Sequence, residues 1–447
     1  MLEVSGIRIH LTQLDGGDER ELALCKKALA KKLRVNASQL RGIERRRRSI
    51  DARKKADIVL TFTLRAELAG GPSQEAAVLS KLTRAHAEKG VRVVDEEPFG
   101  WPDAAVAPDA RPVVVGAGCA GLFCALSLAR AGLSPLLVER GDDAARRSRV
   151  VEAHNATGEL DVESNIQYGV GGAGTFSDGK LQTGTKSPAH RLILETFVAA
   201  DGSQTEERVA ASCVILACGH SARDVFELLR EHGVPMERKT FAMGVRIEHL
   251  QADIDRALYG PAAGNPALGA APYKLSCHLP SGRSAFSFCM CPGGYVVSAA
   301  SELGGVVTNG MSLSDRAGAN ANSGLLANVF PDDLPGDDVL AGVELQRRCE
   351  RAAFEAGGGA YVAPAQLVGD FLAGTPSSAG GRVAPTYPRG VAWGSVEKCL
   401  PDYIVGTLRD ALPRMGRQLH GFDVADAVLT GVETRSSSPV RILRGKD

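Results

Sequence analysis

Aromatic residues make up only 5% of this 447-residue sequence, too few for the stacking of bases on aromatic side chains to be its main theme. Net charge is absent, because 52 Lys and Arg balance 52 Asp and Glu, so no overall field recruits nucleic acid or an anionic membrane. Ten cysteines are too sparse and too irregular for a disulfide scaffold. The opening MLEVSGIRIH lacks a basic stretch leading into an apolar one, so no secretory signal is read and a reducing, cytoplasmic location is expected. One window, Pro112–Ala129, runs 18 residues without a charge. Val113–Val115 followed by Gly116, Gly118 and Gly121 reads there as strand, tight turn and helix, so no membrane association is expected. There is no Gly-X-Y period, which excludes collagen, and the 44% hydrophobic share excludes disorder.

What is present is glycine, 51 residues of it, and an uneven charge. Residues 26–55 carry 13 basic residues against 2 acidic ones. Arg45–Arg48 are the centre of that run; on a strand, alternate arginines face opposite sides, so at most half could form one phosphate-binding surface. The first hundred residues alternate and repeat as β-α-β-β-α-β, with strands at 7–11, 43–50, 56–68 and 91–94 and helices at 19–33 and 74–88. That is the order of a ferredoxin-like fold. Four prolines within 98–112 mark a linker. Residues 111–140 then read as β-α-β, 141–190 as Gly- and Ser-rich without clear periodicity, and 190–200 as a helix. A strand at 213–217 and a helix at 222–232 follow, then short strands and glycine loops to 330, and a helix at 339–356.

The sharpest chemistry lies in PVVVGAGCAGLFCALSLARAGLSPLLVER, residues 112–140. Gly116 makes the tight turn, Gly118 lets a pyrophosphate approach the backbone, and Gly121 lets the helix pack on the strand. The helix start offers N–H groups and a positive dipole end to phosphates. Glu139, with Arg140 beside it, closes the second strand where a ribose hydroxyl needs an acceptor. A second GxGxxG, Gly169-Gly171-Gly174, has no apolar strand before it and no apolar helix after it, so it is a loop and not a second nucleotide turn.

The strand CVILACG (213–219) resembles the strand-Ala-Thr-Gly motif of FAD-binding Rossmann flavoproteins, with Cys218 in place of Thr, which implicates Ala217 and Gly219 in cofactor binding. Five further blocks, TGELDVESNIQYGVGGAGTFSDGKL (157–181), MGVRIEH (243–249), SFCMCPGGYVVSAASE (287–302), VVTNGMS (306–312) and GVETRSSSPVRI (431–442), occur in order. Together they resemble the uncharacterised bacterial FAD-dependent dehydrogenases. The resemblance implies an α/β and α+β protein: a ferredoxin-like domain (1–97), the linker (98–112), part of an FAD-binding Rossmann domain (113–240) and a mixed β-sheet substrate domain (241–447) interleaved with it. It implies FAD as cofactor, NAD(P)H as a candidate transient electron donor and a small-molecule substrate. The family carries extra chain before the Ala217 strand and beyond Ile442, so this sequence looks like a member with an internal deletion and a shortened C-terminus. If those losses abolish FAD binding, the alternative is an impaired remnant that binds RNA or a protein through Arg45–Arg48.

Within the resemblance, the small residues of 169–180 let a loop lie flat on flavin or pyrophosphate, with Gly171 and Gly172 in the loop and Ser177 and Lys180 as donors. Cys289 and Cys291, two apart on a strand, would face one side and form a thiol relay or a pocket wall, or else serve as small buried hydrophobes. Glu248 or His249 could serve as acid or base beside a flavin, or Glu248 could form a structural pair with Arg246 on the same strand face. Arg435 could anchor an anion, or form a structural salt bridge. No metal site is read, since a CxC pair falls short of four ligands.

Overall fold

The computed structural model describes residues 1–94, 111–176 and 211–445. The chain divides into two compact units, Met1–Pro98 with Ala252–Ala271, and Phe99–Gln251 with Pro272–Asp447. The expected linker falls almost wholly, and the expected helix at 190–200 entirely, outside the described residues.

In the first unit the order is β1 (Leu2–His10), α1 (Asp18–Leu33), β2 (Leu40–Asp51), β3 (Val59–Leu68), α2 (Gly71–Arg84) and β4 (Val91–Val93). The strands form one antiparallel sheet in the order β2-β3-β1-β4. Alternation explains it: Ile7, Ile9, Leu60, Phe62 and Leu64 are all buried, as are Cys25, Leu29 and Leu33 of α1. Acidic Asp18, Glu19 and Glu21 open α1 and Lys31 and Lys32 close it, both favourable to the helix dipole. The arginine run departs from simple alternation, because a bulge lies between Arg45 and Arg47. Arg45 and Arg48 therefore converge on the buried Glu21 at 2.5 and 3.0 Å, while Arg46 pairs with Glu44 at 2.7 Å. Most of the run's charge is balanced inside the unit.

The second unit begins with β5 (Arg111–Val115), α3 (Cys119–Arg130), β6 (Leu136–Val138), α4 (Ala144–Thr157), β7 (Ala211–Leu216) and α5 (Arg223–Glu231). Its first sheet is parallel, in the order β6-β5-β7. Next come β8 (Met236–Arg238), β9 (Phe241–Leu250), α6 (Gln251–Tyr259, most of which belongs to the first unit), β10 (Ser276–His278), β11 (Ser284–Ser298), β12 (Thr308–Ser312) and β13 (Asn320–Val329). The chain ends with α7 (Ala341–Ala356), β14 (Ala363–Leu367), α8 (Val368–Ala373), β15 (Val391–Trp393), α9 (Asp402–Gln418), β16 (Val428–Glu433) and β17 (Val440–Ile442).

A second, mixed sheet runs β10-β11-β13-β9-β16-β14-β15, with β12 also on β11. Its central strands β9 and β13 are buried at nine of ten positions each. A strand covered on both faces shows no alternation, which is why 241–330 reads from sequence as short, broken strands. The structure goes beyond the sequence reading at two further points. Residues 144–157, read as irregular, form α4, whose buried stripe is Arg147, Val151 and His154. α9, which the sequence reading did not find, buries Ile404, Leu408, Leu412 and Met415 at helical spacing.

Candidate functional site

The dinucleotide turn is built from β5 and α3. Gly116 sits at φ +103°, and a Cβ there would lie 2.7 Å from the Ala217 carbonyl oxygen. A Cβ on Gly121 would lie 1.7 Å from the Gly116 oxygen, so only glycine lets α3 close on the turn. Gly118, the N-cap of α3, faces open space: none of the described residues lies within 4 Å of where its Cβ would be.

That open space is a cavity of about 630 Å³, within the range of small-molecule and cofactor sites. Glu139 lines it and is fixed by the turn itself, Oε2 accepting from the Ala117 N–H at 2.6 Å and Oε1 from the Gly141 N–H at 2.9 Å. Arg140, half-exposed beside it, pairs with Asp224 at 2.7 Å. The loop carrying Gly169, Gly171 and Gly172 closes over the turn, the Gly171 N–H donating to the Ala117 oxygen at 2.9 Å. Gly169, Gly172 and Ala173 line the cavity. Ser177 and Lys180 lie outside the described residues. Ala217 and Gly219 line the cavity as well, together with His220, which the sequence reading missed. His220 Nε2 bonds the Arg435 carbonyl at 2.9 Å, and burial lowers its pKa, so the ring is neutral with Nε2 as donor.

The wall facing the Rossmann turn comes from the mixed-sheet half: Val307, Thr308, Asn309, Glu433 and Arg435. Thr308 Oγ1 is buried and has no hydrogen-bond partner among the described residues. Arg435 carries no spare charge for an anion. It pairs with Glu350 at 2.8 Å and Glu302 at 3.2 Å, and Glu350 also holds Arg223 at 2.7 Å. Burial pushes the Glu350 carboxyl up, but Arg435 and Arg223 outweigh it and hold the group down at about 2. Of the two roles read for Arg435, the salt bridge is the one seen.

The residues read as catalytic do not line this cavity. Cys289 and Cys291 do not share a face: β11 inserts one extra residue between Phe288 and Cys291, and Cys289 takes φ +46°. Cys289 is exposed and Cys291 buried, its Sγ 3.4 Å from Arg246 Nη2. Through Arg246, Cys291 is one residue removed from Glu433 on the wall. Glu248 is fully enclosed, accepting from Asn320 Nδ2 at 3.0 Å and Thr386 Oγ1 at 2.6 Å, and burial raises its pKa. His249 bonds the Phe422 carbonyl at 2.8 Å and packs against the Phe422 and Tyr273 rings.

The chemistry of the cavity fits a dinucleotide. It joins a glycine turn with room for phosphate, an acid at the end of the second parallel strand, and a wall on which Thr308 and Asn309 stand beside charges already paired within the protein. Comparison with known proteins agrees. Residues 114–173 match an NAD(P)-binding Rossmann-like domain, residues 240–436 match the C-terminal domain-like model of FAD-dependent proteins, and residues 1–67 match a domain of unknown function. An uncharacterized protein of Clostridium beijerinckii is 37% identical over 494 residues, covering 98% of this chain and 91% of the relative. That alignment is longer than the 447 residues here, so the relative carries internal segments with no counterpart in this chain. With both halves of the cavity matched and the likeness running nearly end to end, the chain belongs to an uncharacterised family of FAD-dependent proteins.

Proposed function

We propose that this chain is an FAD-dependent oxidoreductase of the dehydrogenase type, acting on a small molecule. The observation that carries the reading is the single cavity shared by the turn at Gly116–Gly121 and the wall at Val307–Asn309, Glu433 and Arg435. In this reading Glu139 takes the adenosine ribose. The turn and the Gly169–Ala173 loop take the diphosphate, and Ala217, Gly219 and His220 line the side. The flavin end then lies toward Thr308 and Asn309, the far wall of the same cavity. When bound, FAD supplies the acceptor for a hydride from substrate or from a reduced nicotinamide. The protein's part is to bind, orient and exclude water. Thr308 Oγ1, buried and without a partner among the described residues, is a group of this wall with a hydrogen bond still to give.

The domain limits belong to the same proposal: a ferredoxin-like domain over 1–97, a linker over 98–112, and the cofactor and substrate regions over 113–240 and 241–447. The antiparallel order β2-β3-β1-β4, with helices after β1 and β3, supports the first of these. Ten cysteines, all as free thiols, support a reducing, cytoplasmic setting. The RNA-binding alternative loses support from the internal pairing of Arg45, Arg46 and Arg48.

The test is direct. Purified protein incubated with FAD and then desalted should keep visible flavin absorption, and anaerobic NADH or NADPH should bleach it. Colourless protein after reconstitution would sink the proposal. Flavin that is retained but never reduced by any donor would reduce it to a flavin-binding protein.

A further inference from the structure

Five arginines are buried among the described residues: Arg65, Arg147, Arg223, Arg246 and Arg435. Four of them meet a carboxylate, Arg65 with Glu3, Arg223 and Arg435 with Glu350, and Arg246 with Glu433. Arg147, 0% exposed, has no ion pair among the described residues. All three of its side-chain nitrogens nevertheless find backbone acceptors. Nε donates to the Asn165 oxygen at 2.7 Å, Nη2 to the Ile166 oxygen at 2.9 Å, and Nη1 to the Val170 and Gly172 oxygens at 2.9 and 2.8 Å. The Phe176 ring caps the guanidinium at 4.9 Å. Burial draws its pKa down to about 10, which leaves it a cation at neutral pH. Each nitrogen thus has an acceptor, but no carboxylate of the described residues touches the charge: the Glu139 carboxylate acts on it only through space and does not offset the cost of burial, so a further anion nearby would be favourable.

The position of that charge is specific. The carbonyls it holds belong to the loop that closes on the dinucleotide turn, where the Gly171 N–H reaches the Ala117 oxygen and Gly172 comes within 3.4 Å, measured from its absent Cβ, of the Gly118 Cα. The loop is pressed onto the arginine so closely that a Cβ on Gly169 would lie 2.6 Å from Arg147 Cδ. The peptide joining Gly172 to Ala173 turns its carbonyl to Nη1, so in a trans peptide its N–H points the opposite way. Ala173 lines the cavity. On the other side of the turn the 12-residue α3 brings its positive dipole end to Gly118.

We propose that Arg147 is the built-in counter-charge for the diphosphate of the dinucleotide, a positioning residue that acts through the glycine loop without touching the ligand. This rests on the dinucleotide reading of the cavity. The anion compensates the buried cation, and the cation in turn polarises the loop whose N–H groups face the anion.

The experiment is calorimetric titration of the full chain, freed of nucleotide, with ADP and separately with adenosine. Arg147→Gln removes the charge and keeps amide donors, whereas Arg147→Lys keeps the charge and loses the fork. Arg147→Gln should weaken ADP on the order of tenfold while adenosine stays within about twofold, and Arg147→Lys should keep the preference for ADP. Equal weakening of both ligands in the Gln variant, no weakening, or a Lys variant that behaves like the Gln variant would each overturn the proposal. If the Gln variant does not fold, the Lys variant decides by keeping or losing the ADP preference. If neither folds, the wild-type thermal midpoint decides. Inorganic pyrophosphate should raise it above a chloride control of equal ionic strength, and no rise overturns the proposal. Wild-type protein that binds neither ADP nor FAD would instead remove the dinucleotide reading itself.

Discussion

Arg246 and Glu433 form an ion pair enclosed in the mixed sheet, Nη1 to Oε2 at 2.9 Å, and Glu433 is also part of the cavity wall. The remaining donors of Arg246 go to Asn322 Oδ1, the Cys289 carbonyl and Cys291 Sγ. Burial pushes the Glu433 carboxyl up, and the adjacent guanidinium only partly offsets it. Breaking one partner strands the other charge. Glu433→Gln should therefore cost about 3–5 kcal/mol in urea unfolding, and Arg246→Met a similar amount. Both together, as Arg246→Met with Glu433→Leu, should cost clearly less than the sum; strict additivity would show that the two are not coupled.

A second buried cluster sets a pH dependence. Glu350, held at about 2 by Arg435 and Arg223 against the pull of burial, ionises well below its ordinary value of 4.5. A carboxyl with a depressed folded-state pKa contributes stability that is fully present above its unfolded pKa and is lost as pH falls through the folded one. The window is therefore about pH 4.5 down to about 2. A shift of this size corresponds to roughly 3 kcal/mol. The stability gap between wild type and Glu350→Gln should narrow by about that amount across this window and stay constant from pH 5 to 7. A gap that is the same at pH 2.5 and pH 6 would contradict the assignment.

Much of this was legible because it rests on local chemistry. Val113–Val115, Gly116, Gly118, Gly121 and Glu139 announce the turn by spacing alone, and the alternation of Ile7 and Ile9 announces the first sheet. Arg147 was illegible for the opposite reason. It stands between Arg146 and Ser148, with Arg149 following, in a segment with no apolar stripe, because the buried face of α4 is Arg, Val and His. The bulge in β11 was equally hidden, since one extra residue puts the two thiols on different faces and nothing in CMC marks it. His220 had a visible signal, Cys-Gly-His-Ser just past an apolar strand. Its contact with the Arg435 carbonyl, 215 residues away, is set by tertiary folding alone.

Two glycines three residues apart should behave oppositely. A methyl on Gly121 meets the Gly116 oxygen at 1.7 Å, so Gly121→Ala must push α3 off β5 and should cost about 2–4 kcal/mol, as overpacking against backbone does. Gly118→Ala meets nothing among the described residues and should change stability by less than about 1 kcal/mol. Its methyl enters the space that the diphosphate needs, so FAD affinity should fall about tenfold or more. Thermal unfolding and FAD titration on the two variants separate the cases, and a Gly118→Ala protein with unchanged FAD affinity would place the cofactor elsewhere.

The thiols give the last expectation, because exposure and cavity position divide them. Cys25, Cys277, Cys291, Cys349 and Cys399 are buried, while Cys119, Cys213 and Cys289 are exposed. Burial also pushes the Cys349 thiol up to about 12 and Cys399 to about 11, which leaves almost no thiolate at neutral pH. Brief treatment of the native protein with a thiol-alkylating reagent, read by peptide mass spectrometry, should therefore label the exposed set first. Cys119 stands at the first position of α3 and lines the cavity, whereas Cys289 does not. Saturating FAD or ADP should slow labelling of Cys119 by about tenfold or more and leave Cys289 at its original rate, since a bound anion on the helix start covers the thiol. Equal rates at Cys119 with and without nucleotide would mean that the diphosphate does not rest on this turn. Protection of both would point instead to a general tightening of the fold.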